Sequence, residues 1–297
     1  MLATALLIPT PFIVAVFVLG MLVGSFLNVV VLRYNTGRLR QALFGGGRSH
    51  CFSCDKTLAW YELVPVASFL AQGGRCRGCK CRLSWQYPLV ELLTGLLFVV
   101  AFLHEAVGAH SFGLLLALIM LSLLVVIGVY DLRHKIIPDA LAYAFAAFAL
   151  VYSLGRLFSA PSSLEYTNTL FQAIPWLLAA GPLLFLPFYL LWKVAGGRWI
   201  GLGDGKLALG MGWFLGLSGG VSAVVLAFWL GALVAVVMLA VQRFGQRFGQ
   251  LLGPALGARL HMKSEIPFAP FLIIRTVLVY ATGVMPTDIV LFIQNLF

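Results

Sequence analysis

From Phe12 to Val284 the chain runs again and again through apolar stretches long enough to cross a bilayer, and the loops between them hold almost all of its charge. A hydrocarbon core of ~30 Å needs about 20 apolar residues in a helix. The stretches that meet or approach this are Phe12–Leu32, Leu89–Val107, Phe112–Tyr130, Ala140–Leu157, Leu170–Val194, one beginning at Leu207, Val221–Val241 and Phe268–Val284. Only 10% of the residues are charged, against roughly 25% in a soluble domain. The expected fold is an all-α polytopic membrane protein with about eight transmembrane helices. Pro175, Pro182 and Pro187 are expected to kink the fifth. The first apolar run lacks a basic leader and continues to Leu32, so it reads as a retained helix rather than a cleaved signal. The tail Ile289–Phe297 is too short to span and is expected at the interface.

The formal charge of +10 has two readings, nucleic acid or membrane topology. Its distribution decides between them. Residues 33–82 hold nine of the twenty Lys and Arg. With the loops after spans three, five and seven, eighteen of the twenty fall on one side. The positive-inside rule makes that side cytoplasmic. No nucleic-acid partner is needed, and membrane lipid is the expected surroundings. The segmentation is then a first transmembrane helix (1–32), a cytoplasmic module (33–88) and a membrane domain of about seven helices (89–297).

That module carries Cys51-x2-Cys54 and Cys76-x2-Cys79, 21 residues apart. Two such knuckles present four thiolates to one Zn²⁺. Two disulfides are the alternative, and a reducing compartment argues against them. A site closed by four protein ligands is structural. Cys81 is a fifth thiol that competes with Cys79 for the last position.

Acids are scarce in this chain. Asp131 ends the third span and Asp204 stands in Gly201-Leu202-Gly203-Asp204-Gly205-Lys206 before the sixth. Both fall at the cytoplasmic edge. Asp204 opens a helix, whereas Asp131 closes one and opposes its dipole. Two close carboxylates share a proton, which makes Asp204 the base that activates water and Asp131 the acid. Lys206 either holds Asp204 ionised or meets a lipid phosphate. Asp139 follows Pro138 and reads as a helix cap. Glu91, shallow in span two, is either a paired functional acid or a snorkelling one. Asn28 is expected to hydrogen-bond between helices, and Arg275 to pair with an acid or face water. The sixth span is about 11 apolar residues rich in glycine. Either it leaves Asp204 sunk below the surface, or it runs through Gly219 and Gly220 into span seven as a helical hairpin. The segment 242–265 reads as an amphipathic surface loop.

These blocks resemble the bacterial type IV prepilin peptidases, GxGD-type membrane aspartic proteases that also act as N-methyltransferases. The resemblance rests on Gly24–Val30 with Arg33, the paired knuckles, Glu62–Val66, Gly74–Arg77, Tyr87–Glu91, Asp131 with Ile137–Asp139, Gly201–Asp204 with Lys206, and Ile266–Leu272. It implies that Asp131 and Asp204 cleave the basic leader of type IV prepilins or type II secretion pseudopilins at the cytoplasmic face of a bacterial inner membrane. It further implies methylation of the new N-terminal residue with S-adenosylmethionine, with Gly74 and Arg75 carried over to that role. Departures are Phe52 after the first Cys, Asn35 after Arg33-Tyr34, and Ala269. A transporter with a zinc-stabilised domain, or a peptidase without methyl transfer, are the competing readings.

Overall fold

A computed structural model describes residues 9–34, 49–51, 53–106, 111–158, 164–198, 200–252 and 267–283. Helices dominate: α1 (Thr10–Arg33), α2 (Ala67–Ala71), α3 (Gln86–Ala106), α4 (Ser111–His134), α5 (Asp139–Phe158), α6 (Leu164–Ala195), α7 (Leu202–Leu252) and α8 (Ala269–Thr282). Six described helices are long and apolar enough to cross a membrane, and α8 is a shorter apolar one. The chain is a multi-pass membrane protein. It divides into two compact units, Met1–Val129 and Tyr130–Phe297.

In the first unit α1 packs on α3. Gly20 and Gly24 make the approach possible, because a Cβ on Gly20 would lie 2.7 Å from the Gly95 Cα and one on Gly24 2.8 Å from the Glu91 Cα. Small residues four apart let two helix backbones touch where lipid supplies no hydrophobic drive. Asn28 locks the same seam. Its Nδ2 donates to the Tyr87 carbonyl at 3.2 Å, and its Oδ1 accepts from Gln86 Nε2 at 3.2 Å. This is the interhelical role expected of it.

In the second unit α7 packs against α5, α6 and α8. Two helical arms meet within it at Gly216, whose φ is 74°. Left-handed backbone of this kind favours glycine. A Cβ on Gly220 would lie 3.4 Å from the Gly212 Cα. Eight residues of straight helix span about 12 Å, so the chain folds back at Gly216 and its two arms touch through glycines. The hairpin is therefore present. Gly212 also abuts the Ala180 carbonyl of α6. The α6 prolines lie inside a continuous helix. Most of the 242–265 segment and the tail Ile289–Phe297 lie outside the described residues.

Candidate active site and cysteine cluster

Three acids of the second unit, Asp131, Asp139 and Asp204, lie where α4 ends and α5 and α7 begin. Helix α4 continues past Tyr130 to His134, and Lys135 at φ 54° ends it with its N–H on the Asp131 carbonyl at 2.7 Å. Asp131 therefore lies inside the last turn, and it is buried. One carboxylate oxygen accepts the backbone N–H of Ala269. Ala269 is the first residue of α8, where N–H groups have no partner within their own helix. The other oxygen, Oδ2, is buried with no hydrogen-bond partner among the described residues. Asp131's surroundings are thus not only the negative end of its own helix; the start of α8 adds a backbone donor. The readable signal was Pro270, a residue that starts helices.

Asp204 is half-buried in the first turn of α7, its N–H on the Gly201 carbonyl at 3.2 Å. The glycines around it have a packing reason. A Cβ on Gly203 would lie 2.9 Å from the Ile137 Cβ, and one on Gly205 3.0 Å from the Phe188 Cβ. Without side chains there, the start of α7 seats against the α4–α5 loop and against α6. The loop begins a few residues after Asp131, so this packing carries Asp204 toward it. The two carboxylates lie within reach of each other's charge.

Lys206 does not hold Asp204. Its Nζ lies 2.7 Å from Asp139 Oδ1 and 5.3 Å from the centre of the Tyr143 ring. Asp139 is the first residue of α5, and its side chain pairs with Lys206 and so ties that opening to α7. Arg275 has no acid partner among the described residues, and its Nε is buried without a hydrogen bond.

The first unit holds the cysteines. All five are unbridged. The thiols of Cys51, Cys54, Cys76 and Cys79 lie within 4.8 Å of one another. The two knuckles repeat one local design. Cys51 N–H donates to the Lys56 carbonyl at 2.9 Å and Cys76 N–H to the Cys81 carbonyl at 3.0 Å. In each, the residue after the second Cys (Asp55 and Lys80) is left-handed, at φ 50° and φ 60°. Backbone N–H groups then point at sulfur: that of Ser53, foremost, draws the Cys51 thiol down to about 6, and those of Cys79 and Gly78 lower Cys76. Tetrahedral zinc with Zn–S of ~2.3 Å sets sulfurs roughly 3.8 Å apart; Cys51 and Cys79 stand 3.9 Å apart. The donor set fits zinc. Cys81 Sγ is 3.8 Å from Cys51 Sγ, but the four-thiol cluster includes Cys79 rather than Cys81.

Gly74 turns the chain at φ 66° and accepts the Leu83 N–H at 2.8 Å, while Arg75 is exposed and bridges to Arg82 through the backbone. Glu91 is buried, and its Oε2 accepts the Val66 N–H at 2.7 Å.

The model of the bacterial peptidase A24 N-terminal domain matches residues 18–105, and that of the type IV leader peptidase family matches residues 118–236. Among curated relatives, a prepilin leader peptidase/N-methyltransferase of Myxococcus xanthus is 37% identical over 77% of this chain, an alignment that spans 63% of that protein's length. The Bacillus subtilis protein of the same name is 31% identical, over 90% of this chain and 93% of its own. That of Pseudomonas aeruginosa is 29% identical over 90% of this chain and 89% of its own. No solved structure matches the chain.

Proposed function

The chain belongs to the type IV leader peptidase family, and from that premise we propose that it cleaves prepilin leaders with Asp131 and Asp204 and methylates the new N-terminus. The observation that carries the peptidase reading is the buried Oδ2 of Asp131, without a hydrogen-bond partner among the described residues, in a carboxylate whose charge reaches Asp204. Two such acids hold one proton between them. The ionised member takes a proton from water as the water attacks the scissile carbonyl, and the protonated member gives one to the leaving amine. The pair acts as a unit; Asp204 in the base role follows from its place at a helix start. Ala269's N–H keeps the Asp131 carboxylate oriented through the cycle.

The substrates are type IV prepilins or type II secretion pseudopilins, whose basic leaders suit the cytoplasmic side of the inner membrane, the side on which the sequence places nearly all cations. The four-thiol cluster holds a structural zinc. The methyl donor is S-adenosylmethionine. When a neutral amine takes its methyl group, the carbon–sulfur electron pair stays on sulfur and the positive charge passes to nitrogen.

The test is cleavage of a prepilin in lipid nanodiscs by the wild type and by Asp131→Asn and Asp204→Asn. Asn still offers an oxygen to the Ala269 N–H, so Asp131→Asn is expected to fold. Each variant is expected to lose cleavage. Near-wild-type cleavage by either removes that residue from the dyad.

A further inference from the structure

Beside the cysteine cluster, whose Cys51 and Cys76 are among its lining residues, the first unit holds a cavity of about 320 Å³. It is lined by the end of α1 (Asn28, Arg33), the start of α3 (Tyr87, Glu91), Phe69 of α2, and the knuckle residue Arg82. This is the lower end of the size range of small-molecule sites. Gly74 and Arg75 are not among its lining residues.

Two acids reach this cavity, and they differ in one respect. Glu62 is compensated: Lys56 Nζ lies 3.3 Å from one oxygen and the Ala59 N–H donates to the other at 2.9 Å. Glu91 is not. It accepts the Val66 N–H and a hydrogen bond from Ser25, and no cation among the described residues pairs with it. A buried carboxylate without a counterion is costly. Its position is nevertheless built. Gly24 has no side chain where Glu91's backbone passes, and Val66 adopts φ 59°. A left-handed β-branched residue is strained, and here the strain delivers an N–H to Glu91. The neighbouring polar group, Asn28, has both ends of its amide engaged. Of the two acids on the cavity wall, Glu91 is the one with no cation among the described residues, and a cation is what it lacks.

We propose that this cavity is the methyl-donor pocket, in which Glu91 faces the sulfonium of S-adenosylmethionine. This rests on the methyltransferase reading above. A sulfonium carries a permanent charge and, having no N–H to satisfy, loses less hydration on burial than an ammonium does. Phe69 and Tyr87 are aromatic residues of the lining against which an adenine ring could pack. The competing cation is the α-ammonium of a cleaved substrate.

The experiment measures binding by calorimetry in nanodiscs, with S-adenosylmethionine and with its neutral product S-adenosylhomocysteine. Wild type is expected to prefer the charged ligand. Glu91→Gln keeps an acceptor for the Val66 N–H; it is expected to weaken the charged ligand by about tenfold or more and leave the neutral one nearly unchanged. Leu63, 41% exposed on the cavity lining, supplies a second variant. Leu63→Trp is expected to lose both ligands. Zinc content and prepilin cleavage should stay at wild-type levels in both. An unchanged affinity ratio in Glu91→Gln, wild-type binding by Leu63→Trp, or displacement of the donor by a Phe-initiated peptide would each overturn the assignment. If the wild type methylates and one of these occurs, only the pocket fails. If it neither binds the donor nor methylates, the methyltransferase reading fails with it.

Discussion

Gly203 has no room for a side chain, because a Cβ there would stand 2.9 Å from the Ile137 Cβ. Ile137 is buried in the loop that follows Asp131, and Gly203 precedes Asp204 directly. This contact joins the loop after Asp131 to the start of α7, which carries Asp204. Gly203→Ala is expected to push the loop off α7 and reduce cleavage by about 10²-fold, the cost of misplacing a reacting group by ~1 Å. Ile137→Ala in the same chain should recover part of it. A double-mutant cycle on the cleavage rate measures the coupling, and additive losses would contradict the contact.

The Asp139–Lys206 ion pair has an exposed partner, since the Asp139 side chain is 66% accessible. Pairs of this kind contribute ~0–1 kcal/mol. Asp139→Asn is therefore expected to cleave within about fivefold of wild type. Steady-state kinetics beside the two dyad variants checks this, and a complete loss would move Asp139 into the chemistry.

Cys51 and Cys76 are buried within the four-thiol cluster, and Cys81 is outside it. Cys51→Ser and Cys76→Ser are expected to lose bound zinc and expose the module to protease, because metal binding supplies much of the folding energy of so small a unit. Cys81→Ser is expected to keep the full metal content. Elemental analysis of the purified chains distinguishes the two, and zinc loss in Cys81→Ser would exchange Cys81 for Cys79.

Glu62 is held below the usual carboxylate range, first by the Ala59 N–H and then by Lys56. A depressed folded-state pKa stabilises above the unfolded value of about 4.5 and ceases to do so as pH falls through the folded value. Wild type should thus melt above Glu62→Gln at pH 7, and the gap should close as the pH falls below the ordinary carboxylate range. A gap independent of pH would assign the effect to packing instead.

Much of this protein is legible in its residues. Apolar length against bilayer thickness yields the helices, because a buried backbone must satisfy its own hydrogen bonds and a helix does so locally. The paired knuckles are legible for a similar reason: Cys-x2-Cys places two sulfurs by local geometry alone. Asp131 and Asp204 stand out because acids are costly beside lipid.

What the sequence leaves open depends on contacts between distant segments. Lys206 sits two residues from Asp204 yet pairs with Asp139, since the α5 start comes closer to it than its own neighbour's carboxylate. Ala269 shows no polar side chain, so its backbone donor to Asp131 is invisible until α8 is placed. The glycines of α7 read equally as a broken span or a hairpin until Gly212 is seen against Gly220. Nothing in the neighbours of Glu91 along the chain says that it would be buried beside a cavity with no cation among the described residues to meet it. Local periodicity and ligand spacing are properties of a few consecutive residues, and the sequence by itself determined those. Which donor meets which acid is a property of packed helices, and only the tertiary structure decided it.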